Sequence, residues 1–371
     1  MTMITNQRIC FVNYYVENIY HPETKAIFGG AEVQLYQLMT ALYQTSDWAV
    51  HVLSHNQRRP RVEQYRNIIF WHVRELRNRP LFNLYNVLQT FTAMIKLNAD
   101  VYVTRAASFD TGLVALYCRL FHKKFVFMTA HSLDVDGSFE RDNSWLARYM
   151  YRYGLQHATV ILAQNHEHIS ALQQQHGVTA RYLPNGFIIP PMPVHHQPHT
   201  ILWVGRAHAS KQPEVFVRLA QQFPAEQFVM ILNPQEPAIE QAVQRLTAAL
   251  PNLSVVKGVP FFVVDQYFSE AKVFINTSSA EGFPNTFIQA GIAGCPILSL
   301  TVNPDHFLDT FNTGWCAQGS ELELQKQLRQ LLAEPALLQT AGRNNRQYVE
   351  AHHNINNTIT ELLSHLSVIT K

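Results

Sequence analysis

Residues 276–299, NTSSAEGFPNTFIQAGIAGCPILS, combine an acid, an amide and a run of small residues at spacings that suit a ligand site. The preceding apolar run, 272–275, reads as a short buried strand. Asn285 and Thr286 read as helix start signals before Phe287, Ile288 and Ile292. Gly294 reads as the stop, and 295–300 as the next strand. The first turn, residues 284–287, would offer backbone N–H groups as a positive pole for a phosphate. Glu281 stands just ahead of that pole. A carboxylate there cannot bind phosphate, but it accepts hydrogen bonds from sugar hydroxyls. Gln289 follows eight positions later, about two helical turns on, and shares that side of the site. Upstream, Arg206 follows an apolar run at 201–205, Lys211 comes five residues later, and Pro213 opens a helix. A guanidinium fork and an ammonium point charge suit an anion such as a phosphate.

Two glycines, Gly29 and Gly30, stand at another helix start, in Phe28-Gly29-Gly30-Ala31-Glu32, where the backbone can approach a phosphate or sugar closely. They do not form the Gly-x-Gly-x-x-Gly dinucleotide fingerprint, which argues against a dehydrogenase. His131 stands at the end of an apolar run, 124–130, and Arg105 at the end of another, 101–104.

The pattern acid–Gly–Phe–Pro–Asn–Thr–Phe–x–Gln–Ala–x–x–x–Gly–x–Pro from Glu281 to Pro296 resembles the donor-sugar signature of retaining glycosyltransferases, especially family 4. Val204-Gly205-Arg206 with Lys211-Gln212-Pro213-Glu214 resembles that family's phosphate clamp. The resemblance implies that Glu281 contacts the transferred sugar and that Arg206 and Lys211 hold the diphosphate. Gly282, Phe283, Pro284, Asn285 and Thr286 would frame the donor. Gln289 stands where the family has a second glutamate, and its amide would meet the nucleotide ribose. Gly29 and Gly30 would lie over the donor phosphates, and His131 would contact the sugar near its reacting carbon. Arg105 would bind acceptor or phosphate, or pair locally. The loop near 258–260 would meet the nucleotide base.

The elements that must position these residues alternate regularly. Apolar runs at 8–15, 49–54, 68–72, 101–104, 124–130, 159–163 and 180–183 read as strands, with helical segments between most of them. A second series reads at 201–205, 227–232, 253–258, 272–275, 296–300 and 314–317. Such alternation gives doubly wound parallel sheets. The expected architecture is α/β of GT-B type, two Rossmann-like domains facing a central cleft. The expected boundaries are 1–186 for an acceptor-binding domain and 187–199 for a proline-rich linker. A nucleotide-sugar-binding domain would span 200–342. The resemblance implies that a C-terminal helix, 343–371, would cross back to the first domain. A helical break is expected after Ala333-Glu334-Pro335, and His352 and His353 read as surface residues.

The chain has 371 residues, 47% hydrophobic and 15% charged, enough for two cores. A net charge of +2 gives no reason to expect nucleic acid as a partner. Cys10, Cys118, Cys295 and Cys316 are far apart in apolar segments, so they read as reduced core residues of a cytoplasmic protein. No apolar run approaches the ~18 residues that cross a bilayer. Residues 1–6 read as the leader of a β-galactosidase fusion. Residues 51–105 are locally basic, through Arg58, Arg59, Arg61, Arg66, Arg74, Arg77, Arg79, Lys96 and Arg105. The helix after Pro80 carries Leu81, Leu84, Tyr85, Leu88, Phe91 and Ile95, so the first domain could seat peripherally on the anionic inner face of a membrane or pack that helix on its core.

The expected activity is transfer of a sugar from a nucleoside diphosphate sugar to a hydroxyl of a saccharide or lipid-linked saccharide. The resemblance implies retention of configuration and no metal or other cofactor. Asp134-x-Asp136 has the shape of a nucleotide–metal motif but lies in a loop. Residues 124–187 and 200–232 are most like bacterial surface-polysaccharide transferases. Two other classes stay open. One is a UDP-sugar 2-epimerase of the same fold, which isomerises sugar without an acceptor. The other is a silent binding module, which binds nucleotide sugar and neither hydrolyses nor transfers it.

Overall fold

In the computed structural model, residues 7–20, 28–55, 61–73, 80–191 and 198–370 are described. The chain divides into two compact units, residues 1–187 with 355–371, and residues 188–354.

The first unit holds an eight-stranded sheet. Its strands are β1 (Arg8–Val12), β2 (Ala49–His55), β3 (Val62–Tyr65), β4 (Ile68–Val73), β5 (Val101–Arg105), β6 (Lys124–Met128), β7 (Val160–Ala163) and β8 (Arg181–Tyr182). The order across the sheet is β3-β4-β2-β1-β5-β6-β7-β8. Every pair is parallel except β3 with β4. The central strands are continuous apolar runs because both faces are covered. On one face Phe11, Val52, Val103 and Met128 meet Leu38 and Leu42 of helix Gly30–Thr45 and Ile359 and Leu366 of helix Ile355–Thr370. On the other, Cys10, Tyr102 and Phe127 meet Tyr117, Tyr151 and Leu155. Alternate residues of each strand thus serve opposite cores.

The second unit holds six parallel strands, β9 (Thr200–Arg206), β10 (Gln227–Asn233), β11 (Leu253–Lys257), β12 (Ala271–Asn276), β13 (Ile297–Ser299) and β14 (Gly314–Cys316). Their order is β11-β10-β9-β12-β13-β14. The two α/β units with parallel sheets are those expected. In each sheet the chain winds outward in opposite directions from a central pair, β1 with β5 and β9 with β12. Ligands bind outside the carboxyl ends of strands at such a switch point.

Three expectations change. The hairpin strand β3 was not read from the sequence, because it is a half-exposed edge strand with polar alternate positions and no apolar run. It turns into β4 through Arg66, at φ 54°. The tail breaks at Pro335 as expected, but no helix begins at 343. Helix Pro335–His352 runs through that position and belongs to the second unit. The helix that packs in the first unit begins at Ile355. His353, read as a surface residue, is 0% exposed and packs its ring at a tilt against Phe283, with centroids 4.4 Å apart.

Candidate active site

The C-terminal ends of β9 and β12 are adjacent, and the loops that leave them are bonded together. Thr277 Oγ1 donates to the Lys211 carbonyl at 2.6 Å and accepts from the buried Trp203 Nε1 at 2.8 Å. The Ser279 amide donates to the Ser210 carbonyl at 2.9 Å. Gly205 lies against the Trp203 ring, where an added Cβ would come within 2.6 Å of ring carbon. The Arg206–Lys211 loop and the Glu281 loop therefore form one surface. On it the Lys211 ammonium pairs with Glu281 Oε1, which also accepts from Ser278 Oγ at 2.9 Å. Both side chains are largely buried, so the pair is screened less than a surface pair would be. An ammonium has three donors, so Lys211 can hold Glu281 and still reach a phosphate oxygen. The Arg206 guanidinium has no ion-pair partner among the described residues. With Lys211 and Glu281 neutralising each other, the edge keeps one net positive charge.

Helix Asn285–Ile292 starts beside this cluster with no side-chain cap and no acid in its first turn. Its positive pole is narrower than residues 284–287, because Pro284 carries no N–H and the Phe287 N–H goes to the Pro284 carbonyl. Phe283 does not present its ring to a ligand. It is buried among Phe307, Tyr348 and His353 and anchors the loop. Gly282 and Pro284 are buried beside it, whereas Asn285 and Thr286 are partly exposed. Gly294, at φ 66°, ends the helix, with the Cys295 amide closing back on the Ala290 carbonyl at 2.8 Å. Gln289 is buried, and its Nε2 donates to Asp265 Oδ1 at 3.0 Å. The packing around Asp265 holds its carboxyl above the ordinary carboxylate range. Ser278 and Asp265 were missed from the sequence. A lone serine and a helical acid carry no spacing signal of their own.

In the first unit the Gly29 amide is already occupied. It donates to Glu32 Oε2 at 2.7 Å, and Glu32 Oε1 accepts from Asn13 Nδ2 at 3.1 Å. The chain's own acid thus stands at the start of helix Gly30–Thr45, where a carboxylate is stabilised and a phosphate would be opposed. Gly29 has an extended backbone, so neither a positive φ nor a free amide there marks a phosphate site. His131 lies in the loop after β6. Its Nδ1 accepts from the Leu133 amide at 3.1 Å, which leaves the neutral ring its proton on Nε2, a hydrogen-bond donor. Asp134 and Asp136 are both engaged by backbone amides. Asp134 accepts from the amides of Ala107, Ala130 and His131, and Asp136 from that of Ser138.

Arg105, at the end of β5, is 8% exposed. Its Nη2 donates to Asn185 Oδ1 at 2.7 Å, and Asn185 Nδ2 donates to Gln164 Oε1 at 2.9 Å. Burial lowers its pKa to about 10, partly offset by the charges of Asp134 and Glu32. Burial likewise lowers His168 to about 4, helped by His131 and Arg105. At the switch point, burial raises Asp110 to about 6 while a hydrogen bond from Tyr14 acts against it.

Comparison with known proteins separates the two units. Residues 28–188 match the model described as Glycosyltransferase Family 4. Residues 198–334 match the model described as Glycosyl transferases group 1. A search of curated proteins gave no match. Among solved structures, the chain is similar to the sucrose-phosphate synthase of Thermosynechococcus elongatus, with a TM-score of 0.80 at 17% identity over 98% of this chain and 99% of that one. It is similar to WaaG, a glycosyltransferase involved in lipopolysaccharide biosynthesis, with a TM-score of 0.64 at 16% identity over 92% and 95%. It is also similar to the pneumococcal O-GlcNAc transferase GtfA, solved with UDP and GlcNAc, with a TM-score of 0.61 at 13% identity over 85% and 63%. The switch-point cluster, the two family matches and the GT-B neighbours converge, and the chain belongs to the family-4 type of GT-B glycosyltransferases.

Proposed function

We propose that this glycosyltransferase moves a sugar, with retention, from a nucleoside diphosphate sugar to a hydroxyl of a saccharide or lipid-linked saccharide in bacterial surface-polysaccharide synthesis. The observation that carries the reading is the cluster of Arg206, Lys211 and Glu281 at the switch point of the second sheet. The sugar C1–O bond to the diphosphate breaks as the acceptor oxygen bonds to the same face of C1. The acceptor proton passes to the departing phosphate oxygen, giving glycoside and nucleoside diphosphate. Arg206 and Lys211 stabilise the charge on that phosphate. Glu281, oriented by Lys211 and Ser278, accepts from the sugar hydroxyls. His131 donates Nε2–H to the sugar, and no metal or other cofactor takes part. One similar structure, GtfA, was solved with UDP and GlcNAc, and WaaG is involved in lipopolysaccharide biosynthesis; both support the donor and acceptor classes.

The reading is tested by incubating the protein with a panel of nucleoside diphosphate sugars and saccharide acceptors, with and without EDTA. An α-linked product from an α-linked donor, formed equally in EDTA, is expected. Inverted product would overturn retention, EDTA-sensitive turnover would overturn metal independence, and isomerised sugar without acceptor would favour an epimerase. We also propose contact of the first unit with an anionic inner membrane face. On helix Pro80–Leu97, Met94 and Leu97 are buried, whereas Leu84 and Leu88 are 59% and 57% exposed. Arg58, Arg59, Arg74, Arg77 and Arg79 lie outside the described residues. The described helices include none long and apolar enough to cross a membrane. Failure to sediment with anionic liposomes at low salt would exclude the contact.

A further inference from the structure

Gln289 cannot serve a ligand freely while its amide is buried and bonded to Asp265. It is 6% exposed, and the 3.0 Å bond commits one of its donors. Asp265 is exposed. Its Oδ1 takes the Gln289 bond, and its Oδ2 has no partner among the described residues. A carboxylate held by an amide through one oxygen and open through the other is a ready acceptor for hydroxyl groups and a poor ligand for phosphate.

The place of Asp265 in the fold narrows which hydroxyls. Asp265 lies in the first turn of helix Val264–Ser269, just after the loop that leaves β11. That helix packs against helix Asn285–Ile292, which leaves the Glu281 loop. Asp265 thus bridges the loop at 258–260 and the phosphate-and-sugar cluster of β9 and β12. In a nucleoside diphosphate the ribose is the group that joins base to diphosphate, and its vicinal hydroxyls match a carboxylate. We propose that Asp265 binds the ribose hydroxyls of the donor, with Gln289 as its positioning residue. The carboxylate of the second glutamate position is in effect carried one helix away. This rests on the donor reading above. It also sets what Gln289→Glu should do. A glutamate there would face Asp265 as a like charge and weaken the site rather than tighten it.

The test is calorimetric titration of the full chain with UDP, ADP and GDP and with the 2′-deoxy form of whichever binds. The wild type is expected to prefer the ribose form by about tenfold or more, as hydrogen bonds to a charged group allow. Asp265→Asn should cut that preference to within about twofold, with little change in melting temperature because the asparagine Oδ1 still accepts from Gln289. Gln289→Glu should weaken the ribose form at pH 8 and recover towards pH 5, as one of the two acids takes a proton. Gln289→Ala should lower the ribose preference more than it lowers affinity for the deoxy form. Undiminished preference in Asp265→Asn would overturn the inference while leaving the donor reading intact. If no nucleotide binds the wild type, both fall.

Discussion

At the edge of the first sheet, Glu32 fills the start of helix Gly30–Thr45 and Asp134 is held by backbone amides, while Arg105 gives one donor to Asn185 and keeps its buried Nε without a partner among the described residues. At the edge of the second, helix Asn285–Ile292 starts uncapped, Arg206 has no ion-pair partner among the described residues, and the Lys211–Glu281 pair is partly open. Both edges carry charged residues at strand ends, and both switch points suit a ligand. The contrast teaches that residue type at a strand end does not separate a structural polar group from a functional one. The separation comes from whether its hydrogen-bonding capacity is already filled by protein.

The largest expected effect tests the open edge. Arg206→Ala should lower kcat/KM by about a hundred- to a thousandfold, the usual scale for losing one donor to a transition-state anion. Its melting temperature should not move, since the guanidinium supports no pair. A loss of stability without loss of turnover would place Arg206 with the structural group.

Next comes a titration at the edge of the first sheet. The folded state holds the Asp110 proton more tightly than the unfolded state does, its pKa rising from 3.8 to about 6. Stability on its account is full below about pH 4 and is lost as pH rises through about 6. Asp110→Asn should therefore stabilise at pH 7 by up to about 3 kcal/mol and change little at pH 4. His51 and His168, lowered by burial to about 4, run the other way, losing stability as pH falls from about 6.5 towards 4. Removing Asp110 should leave their acid slope uncovered in urea unfolding measured across that range. An unchanged pH profile would show that the carboxyl is solvated.

A smaller effect sharpens what supports the open edge. Gly291 packs on helix Pro335–His352, where an added Cβ would come within 2.3 Å of Val349 and 3.0 Å of the Asn345 carbonyl. Gly291→Ala should cost about 1–3 kcal/mol in unfolding free energy, as overpacking does, and should lower activity by shifting the Glu281 loop. The smallest tests the capping acid. Glu32→Ala should lose about 1 kcal/mol and leave donor binding intact. A nucleotide affinity that rose in this variant would return Gly29 and Gly30 to the phosphate site.

Most strands were legible because central strands of a parallel sheet are buried on both faces, so their apolar runs stand out. Edge strand β3 lacks that signature. The Arg206, Lys211 and Glu281 cluster was legible because two separate motifs carry fixed spacings. Phe283 was legible as part of a motif but not as an aromatic anchor, since its partners Phe307, Tyr348 and His353 lie in other segments. Gly29 suggested an open amide that Glu32, three residues on, closes.

The sequence alone determined the α/β alternation, the two-unit order and the positions of the charged strand ends, because periodicity and local spacing are properties of neighbouring residues. Only the tertiary structure decided that β9 lies beside β12, which brings Lys211 to Glu281 across 70 residues. It also decided that Gln289 turns to Asp265 and that helix Pro335–His352 stays in the second unit, so that the helix joining the first unit begins only at Ile355. Those outcomes depend on strand order and on which polar groups are desolvated together, and neither quantity is written in any single stretch of chain.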